Sequence, residues 1–225
     1  MKRRPRPTAD ATAAGLDYRL YLVTDPDLLG GRPLGDVVRD AVDGGATLVQ
    51  VREKRGSSRR YLEELLPVRT LLRERGVPLF VNDRIDIALA VEADGVHLGQ
   101  SDLPLAAARR ISAGRLLIGI SCESVEDAVA AERGGADYVS VSPVFATPTK
   151  TDTAPALGLD GVGAVRAAVR LPVVAIGGIN RANAAAVIRA GADGVCVISA
   201  ILSAPDPRRA AAELRALIDE VEHAA

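Results

Sequence analysis

Residues 134–141 read G-G-A-D-Y-V-S-V, and variants of this stretch occur at three other places in the chain. They are G-G-A-T-L-V at 44–49, E-A-D-G-V-H-L at 92–98 and A-G-A-D-G-V-C-V at 190–197. Each stretch is typical of a helix end, a turn and then a strand, because small turn residues precede a short apolar run. The recurrence predicts a fold built by repetition of one structural unit.

Short apolar runs are spaced along the whole chain, with amphipathic segments such as 60–75 and 183–190 between most of them. Their continuous hydrophobicity indicates strands that are buried on both faces, as in a parallel sheet. Eight such runs are found, at 20–23, 48–51, 79–81, 95–98, 116–120, 138–141, 173–176 and 194–198. Glycines follow several predicted helices, where a left-handed cap costs least: Gly44, Gly76, Gly134 and Gly191.

The repeated stretches introduce the second, fourth, sixth and eighth apolar runs. A unit on every even strand predicts an α/β fold, a single-domain (β/α)8 TIM barrel with parallel strands. The alternative is an open doubly wound sheet, since Gly-Ala-Asp turns are common between helices and strands. No linker divides the chain, so we predict a barrel over residues 17–225 and a flexible N-terminal tail over residues 1–16.

The composition of the 225 residues excludes several classes of protein. The net charge of −1 and the 3% of aromatic residues provide neither a basic surface nor a stacking platform for nucleic acid. No apolar run approaches the roughly 20 residues of a membrane span, and the basic start lacks a secretory signal's apolar core. Cys122 and Cys196 both lie in apolar contexts, which predicts a reduced, cytoplasmic protein. Small barrels often associate, so a homo-oligomer is compatible with this sequence.

The second predicted strand runs into Q-V-R-E-K at 50–54, at the end of the barrel where such folds carry their active sites. Strand alternation places Gln50, Arg52 and Lys54 on one side of the strand. An amide and two cations on one side suit an anionic substrate with a polar heterocycle. The alternative, a solvated charged turn, would not favour a spacing of two.

Two aspartates follow the third and fourth predicted strands, Asp83 directly after Asn82 and Asp102 four residues beyond its strand. Adjacent strands lie about 5 Å apart, so we expect these residues to be neighbours. The two carboxylates could share a proton as an acid/base pair or hold a hard cation. With Arg52 and Lys54 nearby, Mg²⁺ fits better, because it takes one or two carboxylates and leaves its other positions to water and phosphate. Alone, either aspartate could instead be an ordinary helix N-cap.

Anion-binding features follow the later strands. The fifth strand presents Ser121, and the loop at 142–152 carries the set Thr147, Thr149 and Lys150, which predicts a phosphate clamp or, alternatively, a disordered polar loop. The stretches A-I-G-G-I-N and V-I-S-A end the seventh and eighth strands, where TIM barrels commonly bind phosphate. Gly178 lets an oxyanion approach the backbone, and Ser199 can donate a hydroxyl. Two anion sites on one face predict two phosphorylated substrates that are joined together.

These motifs resemble the thiamine phosphate synthase family over nearly the whole chain. Q-V-R-E-K, V-N-D-R-I-D-I-A-L-A, A-D-G-V-H-L-G-Q-S-D, P-T-K and V-A-I-G-G-I-N occur in family order, between Y-L-V-T-D and V-I-S-A-I. The resemblance implies a transferase that joins 4-amino-2-methyl-5-hydroxymethylpyrimidine diphosphate to 4-methyl-5-(2-phosphooxyethyl)thiazole. The products would be thiamine phosphate and diphosphate.

The resemblance also implies roles for individual residues. Asp83 and Asp102 would bind Mg²⁺, while Arg52, Lys54 and Lys150 would be catalytic. The pyrimidine diphosphate would contact Gln50, Arg52, Lys54, Asn82, Ser121 and Lys150. The thiazole phosphate would contact Thr147, Thr149, Gly178, Ile198 and Ser199.

The stretch S-C-E-S at 121–124 departs from the common S-T-H-S pattern of the resembled family. The homologous thiazole tautomerases use a histidine where this chain has Glu123, which favours the synthase over the tautomerase. A non-catalytic barrel that senses phosphorylated ligands is the other alternative. The coupling needs no general base, because the attacking thiazole nitrogen carries no proton, and we therefore expect His97 to be structural.

Overall fold

A computed structural model of the chain describes residues 15–147 and 155–224. Eight parallel strands form a closed barrel in sequence order, and β8 pairs with β1 so that Cys196 lies opposite Tyr21. This closure confirms the predicted (β/α)8 TIM barrel and shows that the open doubly wound sheet is wrong. The strands are β1 Leu20–Val23, β2 Leu48–Val51, β3 Leu79–Asn82, β4 Gly95–Leu98, β5 Leu117–Cys122, β6 Tyr138–Val141, β7 Val173–Ile176 and β8 Gly194–Val197.

Helices alternate with the strands and cover the outside of the barrel. They are α1 Leu34–Asp43, α2 Ser58–Arg75, α3 Ile85–Ala90, α4 Leu105–Ser112, α5 Val125–Arg133, α6 Gly158–Ala168, α7 Ala184–Arg189, α8 Ser199–Leu202 and α9 Pro207–His223, with a 3-10 helix at Pro26–Leu28. Within the described ranges, every helix is too short or too polar to cross a bilayer. The predicted flexible tail falls on residues that, apart from 15 and 16, lie outside the described ranges.

Two of the four predicted glycine caps are wrong. Gly44 and Gly134 have ordinary right-handed helical dihedrals, and the left-handed residue is the next glycine along, Gly45 with φ 104° and Gly135 with φ 82°. Glycine is needed at Gly44 for a different reason, because a Cβ there would lie 2.2 Å from a backbone oxygen of α9. The predicted left-handed conformations at Gly76 and Gly191 are confirmed.

Aromatic rings fill the barrel interior below its carboxyl end. The ring of Phe80 on β3 packs edge-on against that of Tyr138 on β6, with centroids 5.6 Å apart. Glycines on neighbouring strands make room for both rings, since a Cβ at Gly95 would lie 2.2 Å from Phe80 and one at Gly119 would lie 2.0 Å from Tyr138. The interior is therefore closed by these rings, and the open space lies at the carboxyl ends of the strands.

Candidate active site

A cavity of about 540 Å³ lies at the carboxyl ends of the strands. It brings together most of the residues that the sequence predicts for the site: Gln50, Arg52, Lys54, Asn82, Asp83, Asp102, Ser121, Thr147, Gly178, Ile198 and Ser199. Thr149 and Lys150 lie outside the described residues, so their place in the site stays a prediction. Residues from β2 to β8 and their following loops thus share one concave surface, as expected because the strands of a TIM barrel all end on the same face.

The alternation predicted after β2 is present. Gln50, Arg52 and Lys54 line the cavity, whereas Val51 is buried against the helices with 2% of its surface exposed. The Glu53 carboxylate turns back to the chain and accepts hydrogen bonds from the backbone N–H groups of the two residues that follow Lys54. Two cationic groups and an amide therefore point into the same space.

Arg52 is held in place by residues that follow β1. Its guanidinium donates to Asp25 Oδ2 at 2.7 Å, and its backbone N–H donates to Thr24 Oγ1 at 3.1 Å. Asp25 is 7% exposed, so the carboxylate of this ion pair is buried while the Arg52 side chain faces the cavity. Asp25 is not among the residues predicted from the sequence, although the T-D pair at 24–25 directly follows the first strand. Polar residues just after a barrel strand are candidates for the active face, so its position is the signal that points to it.

The two aspartates of the predicted metal site lie beside each other. Lys54 Nζ donates to Asp83 Oδ2 at 2.6 Å, and the backbone N–H of Gly99 donates to Asp102 Oδ2 at 2.7 Å. Burial raises the pKa of Asp102, and the hydrogen-bonding contact and negative charge of Asp83 raise it further. The ionised form of Asp102 is therefore disfavoured beside Asp83.

The helix N-cap alternative is wrong for both aspartates. The residue at the N-cap of α3 is Arg84 and that at the N-cap of α4 is Pro104, and neither helix has a side-chain cap. Asp83 instead adopts a left-handed backbone conformation with φ 59°, which is uncommon for a residue with a Cβ. Residues held in such conformations concentrate at functional sites.

The opposite end of the cavity is formed by the turn after β7. Gly177 and Gly178 have φ values of 106° and 64°, and a Cβ at Gly178 would lie 2.8 Å from the carbonyl oxygen of Ala146. The backbone N–H of Phe145 donates to Gly177 O at 3.0 Å, so this turn is paired with the start of the loop after β6. Ile198 and Ser199, at the start of α8, complete this end. The result is a small, backbone-rich surface of the kind that accepts phosphate oxygens.

The structure shows where the two unusual residues of the S-C-E-S stretch at 121–124 lie, Cys122 and Glu123. Glu123 lines the cavity at the place where the tautomerases carry histidine, and its backbone N–H donates to Asp127 Oδ2 at 2.9 Å. Cys122 is fully buried, and burial raises the pKa of its thiol to about 12. The cysteine therefore packs as a small apolar residue, whereas the glutamate adds negative charge to the cavity wall.

The comparisons with known proteins agree on one family. The family model described as thiamine monophosphate synthase matches residues 20–201. A thiamine-phosphate synthase of Chloroflexus aurantiacus is 54% identical over 210 residues, which cover 93% of this chain and 97% of that protein. Another, of Albidiferax ferrireducens, is 54% identical over 203 residues, covering 90% and 93%. A solved thiamine phosphate pyrophosphorylase from Pyrococcus furiosus superposes with a TM-score of 0.85 at 44% identity, covering 91% of this chain and 97% of that one.

Proposed function

Because the chain belongs to the thiamine monophosphate synthase family, we propose that its cavity joins an aminopyrimidine diphosphate to a thiazole phosphate. The chain is an enzyme of the transferase class, and its reaction gives thiamine phosphate. The high identity to synthases favours this reaction over the thiazole tautomerase and the ligand-sensing barrel.

One observation carries the assignment of substrates to the two ends of the cavity. The cations Arg52 and Lys54 lie with the paired Asp83 and Asp102 at one end, and the turn at Gly178 lies at the other. The charged end suits a diphosphate with a metal ion, and the backbone-rich end suits a monophosphate. This division supports a pyrimidine diphosphate at β2 to β5 and a thiazole phosphate at β6 to β8.

The remaining predicted residues follow this division. Beside the cations, the pyrimidine diphosphate would contact Gln50, Asn82, Ser121 and Lys150. The thiazole phosphate would contact Thr147, Thr149, Gly178, Ile198 and Ser199. For Thr149 and Lys150 this proposal rests on the sequence alone, because neither is among the described residues.

The residues present fit a bound Mg²⁺. Asp83 and Asp102 provide two neighbouring carboxylates, and the raised pKa of Asp102 indicates that a further cation would relieve their repulsion. Among the described residues no group of three or more acidic, histidine or cysteine side chains could hold a metal. Two carboxylates are what Mg²⁺ commonly takes from a protein when phosphate and water fill its other positions. When bound, Mg²⁺ would neutralise charge that develops on the departing diphosphate.

The residues of the chain favour a dissociative substitution. Arg52, Lys54 and Lys150 stabilise the diphosphate as its bond to the pyrimidine methylene carbon breaks. The electron-rich aminopyrimidine stabilises the resulting cation, and the thiazole nitrogen donates its lone pair to form the new bond. No proton needs to be removed. His97 is only 8% exposed and its two ring nitrogens contact Tyr138 and Ser121, which agrees with a structural role.

The cytoplasm is the compartment that we propose for this reaction. Cys122 and Cys196 are both free and buried, which agrees with a reducing environment. Association into a homo-oligomer is also part of this proposal, since small barrels often associate.

The experiment that tests the site is a coupling assay with both substrates and Mg²⁺. We expect Arg52→Ala and Lys150→Ala to lower turnover by about a hundredfold or more, as loss of transition-state charge stabilisation typically does. The midpoint of urea unfolding should change much less. Arg55→Ala is the matched control, because Arg55 is 79% exposed and pairs with Asp27 outside the cavity. Wild-type turnover in both of the first two variants would refute these roles.

The magnesium assignment has its own test. Asp102→Asn should require a higher Mg²⁺ concentration for half-maximal activity, because the site loses one of its two carboxylates. Asp86→Asn is the control, since Asp86 is exposed and pairs with Arg84. An unchanged Mg²⁺ requirement in Asp102→Asn would contradict the assignment.

The coupling assay with the wild-type enzyme also separates the alternative functions. Binding of both substrates without product would support the sensor, and isomerised thiazole without coupling would support the tautomerase.

A further inference from the structure

A continuous row of hydrogen bonds crosses the barrel and joins two walls of the cavity. Gln50 Nε2 lies 2.9 Å from Tyr21 Oη, which lies 3.0 Å from Tyr138 Oη. Tyr138 Oη is 2.8 Å from His97 Nδ1, and His97 Nε2 is 2.9 Å from Ser121 Oγ. We call these five side chains the barrel relay. They come from β1, β2, β4, β5 and β6, and both ends of the row line the cavity.

The barrel relay is shielded from water over most of its length. Tyr21 and Tyr138 have no exposed surface, and Gln50 is 3% exposed. Burial raises the pKa of both phenols well above the ordinary value for tyrosine, so each hydroxyl keeps its single proton. A buried donor or acceptor without a partner is costly, so each of these protons must be directed to a neighbour in the row.

The direction of one hydrogen bond therefore sets all the others. The Gln50 amide N–H donates to Tyr21, so the Tyr21 hydroxyl must donate to Tyr138. Tyr138 in turn donates to His97 Nδ1, which leaves the neutral imidazole with its proton on Nε2, facing Ser121. The proton of Ser121, the carbonyl oxygen of Gln50 and the second amide N–H of Gln50 then remain for groups in the cavity. Reversing one bond alone would leave two donors or two acceptors facing each other in the buried row.

We propose that Tyr21, Tyr138 and His97 are positioning residues that fix Gln50 as a hydrogen-bond acceptor and Ser121 as a donor towards the substrate. This rests on the proposed binding of the pyrimidine at Gln50 and Ser121, and it adds a basis for specificity. A 4-amino group donates a hydrogen bond to the Gln50 oxygen, whereas a 4-oxo group in its place presents a second acceptor. If the Gln50 amide turned over to meet the 4-oxo group with an N–H where its oxygen stands, the whole barrel relay would have to reverse.

The position of the proton on His97 tests this direction without any substrate. His97 and His223 are the chain's two histidines, so nitrogen-15 NMR of the wild type and of His223→Gln assigns the signals. We expect a neutral His97 with its proton on Nε2. A proton on Nδ1, or a charged ring, would overturn the proposal. Because this measurement needs no turnover, it is independent of the proposed function.

A matched pair of variants tests the specificity. Tyr138→Phe removes the central hydroxyl of the barrel relay and lets Gln50 rotate independently of His97. The control is Tyr18→Phe, because the Tyr18 ring lies 5.4 Å from that of Tyr138 but its buried hydroxyl has no hydrogen-bond partner within the described ranges. Both variants delete one buried phenol oxygen from the same aromatic cluster.

We expect Tyr138→Phe to raise KM for the pyrimidine diphosphate about tenfold, with a smaller change in kcat, and to reduce the preference for 4-amino over 4-oxo pyrimidine about tenfold or more. Tyr18→Phe should keep wild-type values. The proposal would be contradicted if Tyr138→Phe kept the wild-type preference for the 4-amino pyrimidine, or if Tyr18→Phe lost that preference to the same extent. If Tyr138→Phe does not fold, Tyr21→Phe provides the same break next to Gln50. Loss of product from both pyrimidines in the wild type would instead count against the proposed function.

Discussion

Arg52 is placed by a carboxylate that does not itself need to touch the substrate. The buried Asp25 holds the guanidinium at 2.7 Å, and a second oxygen of the same carboxylate accepts the backbone N–H of Asp27. The long arginine side chain is thus ordered before substrate arrives, and less entropy is lost when a diphosphate binds.

Asp25→Asn should separate these two roles, because asparagine keeps an oxygen for the Asp27 N–H but loses the charge that holds Arg52. We expect kcat/KM to fall by about ten- to a hundredfold, as a hydrogen bond between charged groups contributes roughly 1.5–3 kcal/mol. Asp27→Asn is the control, since its pair with Arg55 is exposed. The measurement is steady-state kinetics. Equal kcat/KM values for Asp25→Asn and Asp27→Asn would show that Arg52 does not need the charge of Asp25 to hold it in place.

The two thiols give a second prediction at the scale of single residues. Burial raises the pKa of Cys122 to about 12 and also raises that of Cys196. Neither thiolate should be populated near neutral pH, so iodoacetamide should label neither cysteine in the folded protein and both in urea. Mass spectrometry of the labelled chain is the measurement. If Cys122 were labelled while the circular dichroism spectrum stayed that of the folded protein, the end of β5 would have to open locally.

At the scale of elements, the strand positions follow from the sequence because strands buried on both faces are continuous apolar runs. Five of the eight predicted runs, among them 20–23 and 173–176, have the observed bounds. The sequence predicts the fifth strand at 116–120, but it lies at Leu117–Cys122, because Ser121 continues the pairing with β6 although it is polar. The cavity residues were found by inspecting strand ends, since parallel strands end on one face.

The barrel relay could not be found in this way. Tyr21 and Tyr138 are 117 positions apart and meet across the barrel interior, where periodicity shows only that each residue points inward. In the sequence both tyrosines fit the pattern of buried core residues. Only their hydroxyl groups, which form the hydrogen bonds of the barrel relay, distinguish them from other core residues. Which inward-pointing side chains touch depends on the barrel's closure and register, and sequence spacing does not give these.

The turn after β7 gives a prediction that belongs to this scale. Gly178→Ala combines a left-handed backbone with a crowded Cβ, whereas Gly114→Ala has a similar φ of 75° and no atom within 4 Å of the added Cβ. Each variant should lower the free energy of unfolding by about 1–2 kcal/mol for the backbone conformation alone. Only Gly178→Ala should also raise KM for the thiazole phosphate. Urea titrations measure the stability of both variants, and steady-state kinetics measure their KM for the thiazole phosphate. Equal KM values in the two variants would show that Gly178 has only a structural role.

For the molecule as a whole, an ion network ties the start of β1 to the last helix. Arg19 donates to Asp17 at 2.9 Å and to Asp219 of α9 at 3.0 Å, and Arg215 of α9 donates to Asp219 at 2.8 Å. The same region holds the β1–β8 pairing that closes the barrel. The network lies away from the cavity, so its contribution should be to stability and not to turnover.

This network predicts a specific acid sensitivity. Burial tends to raise the pKa of Asp17, but hydrogen bonds from Arg19 and the charges of Arg19 and Arg215 outweigh it, so the folded pKa is lowered. Since the unfolded chain binds this proton more readily, the stabilisation is present above the unfolded pKa of about 4 and is lost as pH falls through the folded pKa.

Asp17→Asn should therefore be less stable than the wild type near pH 7 and should lose less additional stability between about pH 6 and about pH 3. The matched control is Asp36→Asn, which removes one carboxylate from an exposed pair with Arg39 and should keep the wild-type slope. Urea unfolding at several pH values measures both slopes. Parallel curves for wild type and Asp17→Asn would mean that the network between the start of β1 and α9 adds no pH-dependent stability to the closed barrel.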